Sequence, residues 1–236
     1  MAVESPAWYR RRSAVFALLF AVGFLGGWGI SQIIVGRYEP AFATIGTHWG
    51  PHGPLIAGLA ALLVVLAAMS VRVWGASYLS ASTVWDEEVH TESLIVAGPF
   101  RFVRHPLYLG NMLLAAGLGA AAPLSGWIFI IVANALFIRS LIAFEEERLA
   151  IRYGEAYRRY RCEVPAMLPR LTPAPAHQLV PPSVTQGLKA ESFTMFLLAG
   201  VIGLFAVPRF GVLVLVFCYI AGVLVQRRIE SKSGER

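Results

Sequence analysis

Long apolar stretches without charged residues alternate with polar segments along the chain. The first covers residues 14–35 and the second covers residues 54–71. About 20 apolar residues span a bilayer as a helix, and a charge at the bilayer centre costs at least about 2.5 kcal/mol. Each of these stretches therefore predicts a membrane-spanning helix.

The remaining apolar stretches are arranged as two hairpins. Residues 106–122 and 124–144 form the first pair, with Pro123 at the turn, and the shorter stretches 192–207 and 210–225 form the second. Proline and small polar residues between apolar runs mark such turns. The pattern predicts an all-α integral membrane protein of about six transmembrane helices in hairpins.

The composition agrees with a membrane protein. Hydrophobic residues make up 57% of the chain and charged residues only 14%, against about a quarter charged in soluble domains. The net charge of +6 requires no nucleic acid, because basic residues beside anionic lipid explain it. We expect membrane lipids, and no nucleic acid, as partners.

The positions of the basic residues predict an orientation. If the N-terminus is cytoplasmic, the predicted outer loops contain only Arg37 and Arg209 of the 20 basic residues. Basic residues in short loops stay in the cytoplasm. We expect both termini to be cytoplasmic, together with the polar segments 75–105 and 145–191, where chemistry should be sought.

The chain is predicted to be a single membrane domain, residues 1–236. Residues 1–93 supply the N-terminal helices and a cytoplasmic loop, residues 94–169 carry the motifs described below, and residues 170–236 supply a linker and the C-terminal hairpin. The linker is rich in proline and alanine, a composition typical of semi-rigid spacers.

Polar hydrogen-bonding groups are concentrated where the third apolar stretch begins. Pro106 suits the first turn of a helix, and His105 and Tyr108, three residues apart, can face the same side of that turn. The free backbone N–H groups of a helix start favour an anionic group. This segment is the first candidate for a site.

A second candidate segment begins with three adjacent glutamates. Residues 145–161 have helical composition, and a stripe at helical spacing follows one face: Glu145, Leu149, Tyr153, Tyr157 and Tyr160. An amphipathic helix lying at the headgroup level explains the stripe equally well. Gly154 is expected to interrupt it.

Taken in order, these motifs resemble the isoprenylcysteine carboxyl methyltransferase family, which is related to the phospholipid N-methyltransferases. The matching residues are Arg104-His105-Pro106-x-Tyr108-x-Gly110, Glu145-Glu146-x-x-Leu149, Tyr153-Gly154-x-x-Tyr157-x-x-Tyr160 and Val164-Pro165. The resemblance implies S-adenosylmethionine as methyl donor, bound in a cytoplasmic pocket. It also implies a hydrophobic, lipid-like or isoprenoid-like acceptor.

The resemblance implies a set of cofactor contacts. They are Glu92, Ser93, Leu94, Ile95, Phe100, His105, Pro106, Leu107, Tyr108 and Glu145. The Glu145 carboxylate suits the ammonium of the donor's methionine moiety, and apolar Leu94 and Ile95 suit an adenine. His105 and Tyr108 can hydrogen-bond polar parts of the cofactor. Glu146 is the second candidate for this contact, either in place of Glu145 or by holding Glu145 in position.

Other positions depart from the family. The related enzymes have a substrate-binding arginine four positions before the first motif glutamate, where this chain has Leu141. Arg139 is the nearest replacement and our candidate acceptor contact, although a snorkelling arginine explains it equally well. Glu92 and Phe100 replace a histidine and a tyrosine. The sequence predicts no catalytic base and no metal site.

Two alternatives stay open. Membrane sterol or steroid reductases, which use NADPH, share the His-Pro-x-Tyr-x-Gly and Tyr-Gly-x-x-Tyr elements, but adjacent carboxylates are poor neighbours for a phosphorylated dinucleotide. In a non-catalytic membrane protein, His105 and Glu145 would be structural, with Arg148 or Arg101 as the cation that relieves the glutamates.

The predicted orientation can be tested by labelling. In a variant without Cys162 and Cys218, a cysteine placed at His48 should react with a membrane-impermeant maleimide in sealed cells, and a cysteine placed at Glu155 should not. Efficient labelling at Glu155 would contradict the orientation.

Overall fold

A computed structural model describes residues 6–86, 94–175, 181–206 and 217–225, and every regular element in these residues is a helix. The α-helices are α1 (Ala7–Arg10), α2 (Arg12–Val35), α3 (Ala41–Gly46), α4 (Gly53–Asp86), α5 (Pro106–Gly117), α6 (Leu124–Glu163), α7 (Val184–Ala190) and α8 (Ser192–Ala206). Short 3-10 helices cover Thr47–Trp49, Gly98–Arg101 and Gly119–Ala121, and residues 217–225 are helical. The all-α prediction is confirmed for the described residues.

Three helices are long and apolar enough to cross a membrane. They cover Arg12–Ile34, Gly53–Leu79 and Leu124–Glu163, and Pro106–Ala121 is a shorter apolar helix. The described residues thus support an integral membrane protein, while the count of about six spans and the sidedness stay predictions. The predicted turn at Pro208-Arg209 lies outside the described residues.

Two helices are longer than the apolar pattern predicted. α4 continues beyond the predicted end at residue 71 to Asp86, and α6 continues beyond Phe144 to Glu163. The extension begins at residues 145–150 with glutamate, arginine, leucine and alanine, which are strong helix formers, so polarity alone does not end the helix. The segment that begins at Glu145 is therefore the continuation of a membrane helix.

The described chain divides into two units. Unit 1 comprises Met1–Ser70 and Val103–Pro169, and unit 2 comprises Val71–Phe102 and Arg170–Arg236. Unit 1 contains the predicted hairpin, in which α5 packs against α6. It also contains most of the motif residues.

Small residues bring α2 and α6 into close contact in unit 1. A Cβ atom built at Gly27 would lie 2.9 Å from the Cα atom of Gly126, and one built at Gly126 would collide with the carbonyl oxygen of Gly23. Small residues at membrane helix interfaces let the backbones approach closely. The glycines of α2 therefore fix how α6 lies.

The two ends of unit 1 are distinct. At one end, the Ala41 amide donates to the Ala122 carbonyl over 2.8 Å, and the Tyr38 hydroxyl donates to the Ala121 carbonyl. The connection after α2 therefore lies beside the α5–α6 turn. The start of α2, preceded by α1, lies at the other end together with the start of α5.

A buried ion pair anchors the later helices of unit 2. Arg72 on α4 donates from Nε to Glu191 Oε2 over 2.7 Å and from Nη2 to Glu191 Oε1 over 2.9 Å. The Ser183 amide donates to the Ser77 carbonyl over 3.1 Å. Bidentate pairing of this kind is strong and geometrically specific, so α7 and the start of α8 are held against α4.

The glycine contact between α2 and α6 predicts a stability difference. Gly27→Val should lower the melting temperature in detergent, since overpacking costs about 1–3 kcal/mol. Gly26→Val is the matched control, because nothing lies within 4 Å of a Cβ built there. Equal melting temperatures for the two variants would contradict this packing.

Candidate functional site

The first motif forms an anchored turn at the start of α5. His105 precedes the helix with φ −123° and ψ 67°, and Pro106 occupies its first turn, as predicted. The Arg104 amide donates to the Pro165 carbonyl over 2.9 Å, and the His105 amide donates to the Ala166 carbonyl over 3.2 Å. The segment that follows α6 therefore holds the backbone of the first motif.

Glu146 is engaged by arginine. Arg104 donates to Glu146 Oε1 from Nη2 over 2.7 Å and from Nε over 3.0 Å, and Arg161 Nε lies 3.5 Å from Glu146 Oε2. Arg104 Nη1 also donates to the carbonyls of Arg161 and Val164. The Arg104 and Glu146 side chains are only 9% and 11% exposed, so this is a buried ion pair.

Glu145 has a different set of partners. The hydroxyls of Tyr9 and Tyr108 both donate to its Oε1, over 2.7 and 2.5 Å. Its Oε2 lies 3.5 Å from His105 Nδ1, and the Glu145 side chain is 25% exposed. Glu145 is thus oriented by phenols and an imidazole, and it is more accessible than Glu146.

His105 lies between the two carboxylates. Its Nε2 is 3.3 Å from Glu146 Oε1, while its Nδ1 faces Glu145. A neutral imidazole donates from only one ring nitrogen, whereas the protonated ring donates from both. The buried ring therefore links the orientations of Glu145 and Glu146.

Tyr9 remains a hydrogen-bond donor over a wide pH range. Burial first, and then the hydrogen bond to Glu145, raises the pKa of Tyr9 to about 12 from 10.0. Its ring centroid lies 4.8 Å from that of Phe144, and the Arg12 guanidinium lies 4.6 Å from the Tyr9 centroid. The phenol is protonated at neutral pH and is held in place by ring contacts.

Gly154 redirects the end of α6. It has φ 53° and ψ −122°, a combination that glycine adopts at little cost. Beyond it, Tyr157 and Tyr160 are 1% and 7% exposed. The break at Gly154 is confirmed. These two tyrosines are buried in unit 1 and face protein, while the level of the stripe relative to the headgroups stays a prediction.

The predicted cofactor residues fall into three groups. Six lie together in unit 1, at the start of α5 and along α6: His105, Pro106, Leu107, Tyr108, Glu145 and Glu146. Leu94, Ile95 and Phe100 belong to unit 2, where the first two are half-buried and Phe100 is buried. Glu92 and Ser93 lie outside the described residues. Cofactor contact stays a prediction for all of them.

The structure adds little to the prediction that Arg139 contacts the acceptor. Arg139 is exposed on α6, which suits a side chain that reaches toward headgroups, and its acceptor role stays a prediction. Leu141, at the position of the family's arginine, is fully buried in an apolar cluster with Tyr108 and Ile138.

Sequence reasoning missed two partners of the glutamates. The non-catalytic alternative named Arg148 or Arg101 as the cation, whereas the structure pairs Glu146 with Arg104. Arg101 donates to the Ala174 carbonyl within unit 2, and the Arg148 guanidinium lies 5.6 Å from the Phe144 ring centroid. Tyr9 was also missed, because nothing in its local sequence indicates contact with a residue 136 positions away.

Comparison with known proteins supports the resemblance that the motifs indicate. Residues 55–156 match the phospholipid methyltransferase family. The matched segment, somewhat less than half of the chain, is thus similar to that family. The match includes His105, Tyr108 and both glutamates. No solved structure matches the chain at a significant level.

Three curated relatives are similar to parts of the chain. Methanethiol S-methyltransferase 2 of Bradyrhizobium diazoefficiens is 38% identical over 30% of this chain and 27% of its own length. Cobalt-zinc-cadmium resistance protein CzcN of Cupriavidus metallidurans is 34% identical over 50% of this chain and 51% of its own.

The third relative is nickel-cobalt-cadmium resistance protein NccN of Alcaligenes xylosoxydans xylosoxydans, 29% identical over 61% of this chain and 65% of its own. The chain thus spans less than two thirds of each relative. Within the residues that the structure describes, no group of three His, Cys, Asp or Glu side chains is placed to hold a metal ion.

The different partners of the two glutamates predict different effects on stability. Glu146→Gln should lower the melting temperature, because removing one member of a buried ion pair costs on the order of 3 kcal/mol. Glu145→Gln should lower it less, since the amide oxygen still accepts from both phenols. A wild-type melting temperature for Glu146→Gln would contradict the structural role of the Arg104–Glu146 pair.

Proposed function

We propose that this protein is an integral membrane methyltransferase that takes a methyl group from S-adenosylmethionine and transfers it to a hydrophobic, lipid-like acceptor at a cytoplasmic active site. The family match over residues 55–156 supports methyl transfer. The observation that carries the donor assignment is the unequal engagement of Glu145 and Glu146. The Glu146 carboxylate is paired with Arg104, whereas the Glu145 carboxylate is held in one orientation and is partly accessible.

The chemistry of Glu145 fits the donor. The methionine moiety of S-adenosylmethionine carries an ammonium group, which pairs well with a fixed carboxylate. Two phenols donate to Oε1 of Glu145, and His105 Nδ1 lies 3.5 Å from Oε2, so we assign the ligand to Oε2, the less engaged oxygen. The N-terminus of α5 begins beside it at Pro106, and the backbone amides of such an end suit the carboxylate of the same moiety.

Methyl transfer requires little acid–base catalysis by the protein. The donor supplies an activated methyl group on a sulfonium, and the displacement is in line. The protein therefore contributes by aligning donor and acceptor and by excluding water. An ionised carboxylate acceptor needs no base, whereas an amine acceptor benefits from one. In this proposal Glu145, His105 and Tyr108 bind and orient the donor.

An apolar cluster includes Tyr108, whose hydroxyl donates to Glu145, and this cluster supports a hydrophobic acceptor. Leu141 is fully buried with Tyr108 and Ile138, and Met112 and Met167 pack against them. A leucine provides no charge for a prenylcysteine carboxylate, and the partly buried Met112 and Met167 are apolar side chains of this region with surface left for an acceptor. The family name favours a phospholipid, and one relative's name favours a sulfur nucleophile. A lipid amine, an isoprenoid acid and a thiol or thioether are the classes to compare.

Arg139 provides a test of acceptor recognition. If it orients an anionic acceptor by a bidentate contact, Arg139→Leu should raise the acceptor KM and leave the affinity for S-adenosylhomocysteine unchanged. The assay compares the three acceptor classes with methyl-labelled donor. An unchanged acceptor KM for every accepted substrate would assign Arg139 to headgroup contact alone.

Donor binding tests the proposal itself. S-adenosylhomocysteine should raise the melting temperature of the detergent-purified protein, and calorimetry should show weaker binding to Glu145→Gln and His105→Ala. Loss of a charge-assisted hydrogen bond costs on the order of 1.5–3 kcal/mol, which is about ten- to hundredfold in affinity. Glu155→Gln is the matched control, since Glu155 is an exposed glutamate of α6 paired with Arg158.

The outcomes separate the rival functions. Stabilisation by NADPH alone would replace this proposal with a reductase. Stabilisation by neither ligand would favour a non-catalytic protein. Wild-type affinity in both Glu145→Gln and His105→Ala would remove these residues from the donor site.

A further inference from the structure

We propose that Tyr9 is a positioning residue of the donor site, so that the N-terminal segment completes a site whose other residues lie in the family-matched part of the chain. This inference rests on the proposed function and deepens it. Tyr9 lies outside the matched residues 55–156, yet its hydroxyl donates to Glu145 Oε1 over 2.7 Å.

The geometry around Glu145 gives Tyr9 a defined task. Tyr108 donates to the same oxygen over 2.5 Å, so two phenols from different helices converge on Oε1. Two donors fix both the rotation of the carboxylate and its distance from α1. As a result, Oε2 is directed toward the side where His105 Nδ1 lies, 3.5 Å away.

Tyr9 is itself held firmly enough to orient another group. Its ring packs at 4.8 Å between centroids against Phe144, the residue directly before Glu145. Trp8 packs edge-on against the same Phe144 ring at 5.5 Å, and Arg12 covers the Tyr9 ring at 4.6 Å. α1 is thus packed directly against the turn of α6 that carries Glu145.

A structural anchor and a positioning residue make different predictions. If Tyr9 only fastens α1 to α6 through its bond to Glu145, its removal lowers the melting temperature and leaves donor affinity unchanged. If Tyr9 positions the Glu145 carboxylate, its removal weakens donor binding, and only while that carboxylate is present. Affinity and melting temperature measured together distinguish the two roles, and a double-mutant cycle tests whether the loss of affinity acts through Glu145, because coupled residues show non-additive effects.

Tyr38 supplies a matched control. It is also half-buried, burial also raises its pKa to about 12, and its hydroxyl also makes one hydrogen bond, to the Ala121 carbonyl. That contact lies at the opposite end of unit 1. Tyr38→Phe therefore reproduces the loss of one buried phenol without touching Glu145.

The experiment measures S-adenosylhomocysteine affinity by calorimetry on the full-length protein in detergent, with melting temperatures recorded in parallel. The variants are Tyr9→Phe, Tyr38→Phe, Glu145→Ala and the double variant Tyr9→Phe/Glu145→Ala. We expect Tyr9→Phe to bind about three- to tenfold more weakly, Tyr38→Phe to bind as the wild type does, and the double variant to bind as Glu145→Ala does.

Four results would overturn the inference. Wild-type affinity in Tyr9→Phe, or an equal loss in Tyr9→Phe and Tyr38→Phe, removes Tyr9 from the donor site while leaving the proposed function intact. The same fold loss from Tyr9→Phe in the Glu145→Ala background shows that Tyr9 does not act through the Glu145 carboxylate. A wild-type protein that binds no S-adenosylhomocysteine overturns the proposed function and this inference together.

Discussion

The buried ion pair between Arg104 and Glu146 is the constraint on which the candidate site depends. Removing two charges from water costs several kcal/mol per ion, and only close geometry with further hydrogen bonds offsets that cost. Arg104 meets this requirement by also donating to the carbonyls of Arg161 and Val164. The pair therefore joins the start of α5 to α6 and to the segment after α6.

This constraint gives two adjacent glutamates different tasks. Neighbouring side chains on a helix point about 100° apart, so Glu146 can face Arg104 while Glu145 faces Tyr9 and Tyr108. The pair of Arg104 and Glu146 holds the motif segment in place. Because Arg104 pairs with Glu146, Glu145 is left as the oriented, partly accessible carboxylate. In the proposed function, Glu146 serves the fold and Glu145 serves the ligand.

The sequence predicted the features that depend on local pattern. The apolar stretches located α2 and the α5–α6 hairpin, Pro106 marked the start of α5, and Gly154 marked the break in α6. The extensions of α4 and α6 were missed, because the polarity pattern marks where an apolar stretch ends and not where the helix ends. Partners distant in the chain were also missed, because the contact of Tyr9 with Glu145 arises from helix packing and leaves no local signal. Arg104 stood in the motif, but only the structure shows which carboxylate it meets.

The proposed function requires that a hydrophobic acceptor receives a methyl group from S-adenosylmethionine in a reaction that depends on Glu145. This requirement is tested by incubating the purified protein with methyl-labelled S-adenosylmethionine and a total lipid extract, and by following the label into the organic phase. We expect labelled lipid with the wild type and with Glu155→Gln, and a strong reduction with Glu145→Gln. Equal labelling by Glu145→Gln and the wild type, or no labelled lipid from a folded wild-type protein, would contradict it.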